Sequence, residues 1–129
     1  MYNSQRYGQE VDAAVMRVVR DATTGAKTIS AAAPSTLYSF GTISSLTVSA
    51  ITAPGTFTET VNNVQTTFYL DAEYVFEFTL GSTVGTMSFP AAVVWPESGE
   101  PEWESGKHYE ISIKYCAGDS TCYALCNEW

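Results

Sequence analysis

The segment Glu73-Tyr74-Val75-Phe76-Glu77-Phe78-Thr79-Leu80 restricts this chain's fold more than any other. A strand sends successive side chains to opposite faces, so Tyr74, Phe76, Phe78 and Leu80 share one face, with Glu73, Val75, Glu77 and Thr79 on the other. A face carrying three aromatic rings and a leucine cannot stay in water, and a second layer must cover it. The same alternation returns in Tyr109-Glu110-Ile111-Ser112-Ile113-Lys114-Tyr115, which Ala117-Gly118-Asp119-Ser120 joins to a last strand from Thr121 to Trp129. Gly81-Ser82-Thr83 turns the chain into Val84-Gly85-Thr86-Met87-Ser88-Phe89, read as the second arm of a hairpin that Pro90 ends. Between residues 28 and 60, Ser and Thr alternate with Ile29, Leu37, Tyr38, Phe40, Ile43, Leu46, Val48, Ile51 and Phe57, which is too much apolar surface for a linker. Pro34 and Pro54-Gly55 mark turns there, and no internal repeat is evident. The expected fold is mainly β, an antiparallel β-sandwich or small barrel.

Residues 7 to 20 break this pattern. Apolar side chains at Tyr7, Val11, Ala14, Val15 and Val18 follow the spacing of one helical stripe, with Glu10 and Asp12 near its start and Arg17 and Arg20 near its end. One short N-terminal α-helix is therefore expected, ending in a hinge at Asp21–Lys27 marked by Gly25. The domain organisation read from this is a helix and hinge over 1–27 and a β domain over 28–129. So short a helix needs a partner surface. The stripe Tyr7, Val11, Ala14, Val15 and Val18 can pack on its own domain, bundle with copies of itself around a symmetry axis, or dock on another protein.

Charge narrows the partners. Six Lys and Arg against fourteen Asp and Glu leave a formal charge of -8, which repels a phosphate backbone, so no nucleic acid is expected. The balance is also uneven, because residues 28 to 106 contain no Lys or Arg. This asymmetry suggests an attachment end and a displayed end. No apolar run approaches the roughly 18 residues of a span, so no membrane insertion is expected. The opening Met1–Tyr7 lacks the apolar core of a secretory leader, which suggests synthesis in the cytoplasm.

Candidate chemistry is sparse. Cys116, Cys122 and Cys126 crowd the last strand pair, and His108 is the single histidine. Reduced thiols packing as small apolar residues is the simplest reading. A cross-strand Cys116–Cys122 disulfide and a Cys3His zinc set with His108 are alternatives. No nucleophile elbow or phosphate-cradling loop is present, and Glu73 and Glu77 lie too far apart along a strand for an acid–base pair. No enzyme activity, cofactor or metal is expected. The run Trp95-Pro96-Glu97-Ser98-Gly99-Glu100-Pro101-Glu102-Trp103-Glu104 sets four glutamates between and beside two tryptophans. Trp95 and Trp103 form a candidate ligand surface for a sugar or peptide, or else they pin an acidic loop to the core.

The stretch Tyr74 to Pro96, followed by Glu100-Pro101 and by Gly106-Lys107-His108-Tyr109-Glu110-Ile111-Ser112-Ile113, resembles a module of virion proteins of tailed bacteriophages. That module runs from an aromatic-alternating strand through a threonine turn, a "Leu or Met, Ser, Phe or Leu, Pro" strand end and a Trp-Pro to a "Lys-x-Tyr-Glu-Ile-Ser-Ile" strand. The opening Tyr7-Gly8-Gln9-Glu10-Val11-Asp12-Ala13-Ala14 looks like the short helix at the start of many phage fibre and head-associated proteins. Together the two matches cover about half the chain. The resemblance implies a structural virion component, a head fibre or capsid decoration protein displayed on the particle. A tail fibre or an adhesion module that binds carbohydrate or peptide is the alternative. It also implies assembly as a homotrimer with other virion proteins of the capsid or tail, contact with a host-surface glycan in the adhesion case, and no catalytic residues. Members of the family commonly lack the terminal cysteine cluster.

Overall fold

A computed structural model of the chain describes residues 16–129. They form eleven strands: β1 (Arg17–Asp21), β2 (Ala26–Ile29), β3 (Thr36–Ile43), β4 (Ser45–Val48), β5 (Thr56–Val61), β6 (Val64–Tyr69), β7 (Ala72–Leu80), β8 (Met87–Ser88), β9 (Val93–Val94), β10 (His108–Cys116) and β11 (Thr121–Glu128). The protein is mainly β, as the alternation requires.

The pairing differs from the antiparallel sandwich expected. One sheet of six strands runs β1-β3-β7-β10-β11-β9, and a second of three runs β2-β4-β8. β1, β3 and β7 are mutually parallel, as are β2, β4 and β8. Within the larger sheet, only β7, β10 and β11 form an antiparallel block. The chain climbs as a coil: β1 then β2, β3 then β4, and β7 then β8 each give one strand to each sheet and stack as three rungs. Val84–Phe89 is therefore not the second arm of a hairpin with β7, because the chain turns a corner there and passes into the other sheet.

A repeat that the side chains conceal is plain in the register. Arg17 lies beside Thr36, Ala26 beside Ser45 and Ala32 beside Ile51, the 19-residue separation at which Arg17 also donates to Thr36. The corners stack as well: Ser44 N–H donates to Gly25 O and Gly85 N–H to Ser44 O, at 3.0 and 2.7 Å. A Cβ at Gly85 would lie 3.1 Å from the Ser45 Cβ, so any larger residue would push the third corner apart by a few tenths of an ångström.

The core fills the space between the sheets. Tyr74, Phe76, Phe78, Leu80, Tyr109, Ile111 and Ile113 from the larger sheet meet Leu46, Val48 and Met87 from the smaller one, all buried. Tyr38 stacks on Phe76 with centroids 5.4 Å apart. Burial pushes the Tyr74 hydroxyl up to about 12, and that hydroxyl donates to the Thr52 carbonyl, so its one polar atom is satisfied inside the core.

Two N-terminal expectations are corrected. Val18 and Arg17–Asp21 form a strand, so the helical stripe does not extend to residue 20. The adjacent β-branched pair Val18-Val19 favours extended backbone, and β3 offers a free edge. Tyr7, Val11, Ala14 and Val15 lie outside the described residues. The boundary expected between 27 and 28 falls inside β2, all four residues of which pair with β4. The supposed hinge at 21–27 is a tied turn: Asp21 accepts from Thr23 N–H at 3.1 Å and from the Lys27 ammonium at 3.1 Å.

Between the second and third rungs the chain leaves the coil. β5 and β6 form an antiparallel hairpin that pairs only with itself. Its turn residues Asn62 and Asn63 have φ of 51° and 64°, the left-handed pair of a two-residue type I′ turn.

Candidate functional site

The two tryptophans come together. The segment after β8 joins the larger sheet through β9, which pairs with β11, and Trp95 and Trp103 meet edge to face with centroids 6.5 Å apart. Phe89 packs against both rings, and Trp103 reaches Tyr109 at 5.0 Å. Both indoles are half-buried against the core, and the Trp103 Nε1–H donates to Glu100 Oε2 at 2.9 Å. Tyr109, fully buried, accepts from Glu104 N–H and donates to Glu102 O, fixing the loop at two points. The rings thus anchor the acidic loop, and they do not stand free as a stacking platform.

Beside them lies a cleft of about 560 Å³ lined by Trp95, Pro96, Glu100, Glu102, Leu125 and Glu128, among others. Trp95 forms part of its wall, whereas Trp103 sits in the aromatic cluster behind. Lys107 stands near this rim, 3.3 Å from Glu104 and 3.4 Å from Glu128, and those two carboxylates raise its pKa. The cleft is negative, and its chemistry suits hydroxyl-rich or cationic groups set against one indole.

The cysteines and His108 do not converge. Cys122 and Cys126 alternate with Ala124 on the inner face of β11, while Cys116 and His108 fall on the outer face of β10. Cys122 lies opposite Tyr115 and Cys116 opposite Thr121, so a Cys116–Cys122 bridge would have to pass through the sheet, and all three thiols are free. A four-ligand zinc set fails for the same reason, and among the described residues no three His, Cys, Asp or Glu gather as metal ligands. Burial pushes the Cys126 thiol up to about 11, with the Glu128 charge adding to it, and burial likewise raises Cys122. Both therefore stay protonated at neutral pH and are poor nucleophiles. His108 Nδ1 is 3.0 Å from the Thr79 hydroxyl, and its ring lies against Trp129. Glu77 accepts from Ser39 at 2.8 Å on the outer face, and Glu73 lies along the same face.

Two features escaped the sequence reading. One is the Thr56–Tyr69 hairpin, which the Asn62-Asn63 pair between β-rich runs could have revealed. The other is the polar end of the coil, where Lys27, 8% exposed, holds the position that Leu46 holds one rung later. No pattern in the sequence marks that position as inward-facing without the register. Scans against protein-family models, characterised proteins and solved structures find no match for this chain.

Proposed function

We propose that this chain is a structural virion protein of a tailed bacteriophage, a head fibre or capsid decoration protein displayed on the particle. The observation that supports the reading is the pairing of a Ser- and Thr-rich β-coil with a hairpin that pairs only with itself, beside ionisable side chains of which, among the described residues, no three His, Cys, Asp or Glu gather as metal ligands. Such a body provides surface and shape. The module resembled by residues 74–113 spans β7 to β10, the segment that builds most of the core, and supports the same reading. Copy counting by quantitative mass spectrometry on purified particles of the encoding phage tests it. Many copies per particle are expected, and absence from washed particles would overturn the proposal.

The cleft beside Trp95 favours a second reading, an adhesion module of a tail fibre that binds carbohydrate or peptide. Titration with neutral oligosaccharides would then change tryptophan emission, and Trp95→Ala would abolish the change. Emission that stays flat across a glycan panel would remove this reading and leave the first intact.

A further inference from the structure

The Thr56–Tyr69 hairpin is apolar where it has nothing to pack on. Phe57 lies opposite Phe68 with rings stacked at 5.1 Å, and Val61 lies opposite Val64 on the same face. Val64 is 62% exposed and Phe57 43%. A lone two-stranded ribbon is marginal in water, and apolar side chains held this far out signal a surface that another molecule covers. Glu59 sits between Phe57 and Val61 on that face and is the arm's single charged residue.

A matching surface exists at one edge of the larger sheet. β1 is its edge strand, and among the described residues nothing pairs with its side away from β3. Val18 is 50% exposed, and Arg20, two residues on and therefore on the same face, is exposed and in no ion pair among the described residues. The arm reads apolar, acid, apolar and β1 reads apolar, cation, both at the two-residue pitch of a strand of about 6.6 Å. The arm's own β1 does not use it, because β5 and β6 stand in a separate sheet.

We propose that the arm of one copy lies along β1 of a second copy, placing Glu59 against Arg20 and a Phe57 or Val61 side chain against Val18. Each copy then gives an arm to one neighbour and receives an arm from another. Such a heterologous contact closes into a ring or continues as a fibre. The added strand satisfies edge backbone groups that β1 otherwise leaves to water. This deepens the structural reading above by naming a second copy as the partner, and its test uses no particle, so the two can fail separately.

The test is sedimentation velocity of the full chain over a concentration series, with Glu59→Arg, Arg20→Glu and the double variant. Both substitutions are at exposed positions, and circular dichroism checks that each of the three variants is folded. Wild-type protein is expected to associate above its 14.0 kDa monomer mass. Each single reversal should weaken association by roughly five- to tenfold, and the double reversal should restore it. A chain that stays monomeric at every concentration would overturn the proposal. So would association indifferent to both single reversals, or a double variant no better than the singles.

Discussion

The first and second rungs follow one backbone path 19 residues apart, yet at two inward positions the first carries charges, Asp21 and Lys27, where the second carries Phe40 and Leu46. The second rung turns Tyr38, Phe40, Leu46, Val48 and Ile51 toward the core. At the matching positions the first rung has Val19, Asp21, Lys27, Ile29 and Ala32. Lys27 is buried, but its ammonium meets Asp21 and the Thr23 hydroxyl and so leaves no unpaired charge inside. Stacked repeats need an atypical, polar end to remain soluble. The ion pair gives the coil that end, and the rung behind it stays dry. Identical geometry thus tolerates a cation at the rim and requires a hydrocarbon one layer inside.

Reciprocal exchange is the strongest way to break this comparison. Leu46→Lys buries a cation with no acid beside it and should abolish cooperative thermal unfolding. Lys27→Leu should keep the fold and shift the midpoint by only a few degrees, since Asp21 remains partly in water. Equal damage from the two would erase the distinction between rim and interior. A smaller effect separates the middle of one cross-strand row from its open end: Phe76→Ala should cost about 3–5 kcal/mol in urea unfolding, whereas Val19→Ala, half-exposed at the open end, should cost about 1 kcal/mol or less. Gly85→Ala comes next, at about 1–3 kcal/mol, because the new methyl meets Ser45 and the Ser44 carbonyl.

Acid gives the mildest perturbation. The hydrogen bonds from the Thr23 hydroxyl and Lys27 hold the Asp21 carboxyl at about 2, below its ordinary 3.8. A depressed carboxylate stabilises the fold above its unfolded value and ceases to do so as pH falls through the folded one. The first rung should therefore loosen between about pH 4 and pH 2, read from the amide signals of 21–29, and Asp21→Asn should remove that step.

The antiparallel block was legible because its signal is local. Every second residue of β7 and β10 is large and apolar, and the turn at 117–120 lies between two strands that pair with each other. The coil was not legible, because its partners are a full rung apart and share little chemistry. The echo of Thr28-Ile29-Ser30-Ala31 in Thr47-Val48-Ser49-Ala50 is short, and the charged Asp21 and Lys27 at positions matching Phe40 and Leu46 hide the rest. Residues 14, 15 and 18 fit a helical stripe and a strand start equally well, and the open edge of β3 decides for strand from Arg17 onward. Of the candidate site, the sequence left ligand display and loop anchoring open for Trp95 and Trp103, because the packing of both rings on Phe89 is not a local signal. The cleft beside Trp95 depends on where β11 ends, which spacing alone does not give.

Hydrogen exchange by mass spectrometry, followed at low and high protein concentration, tests the account most directly. It predicts slow exchange in β7 and β10 throughout, faster exchange in the first rung, and the fastest in Thr56–Tyr69 when dilute. On concentration, the arm and Arg17–Asp21 should gain protection together while the core stays unchanged. Uniform protection across the three rungs, or an arm whose exchange ignores concentration, would contradict it.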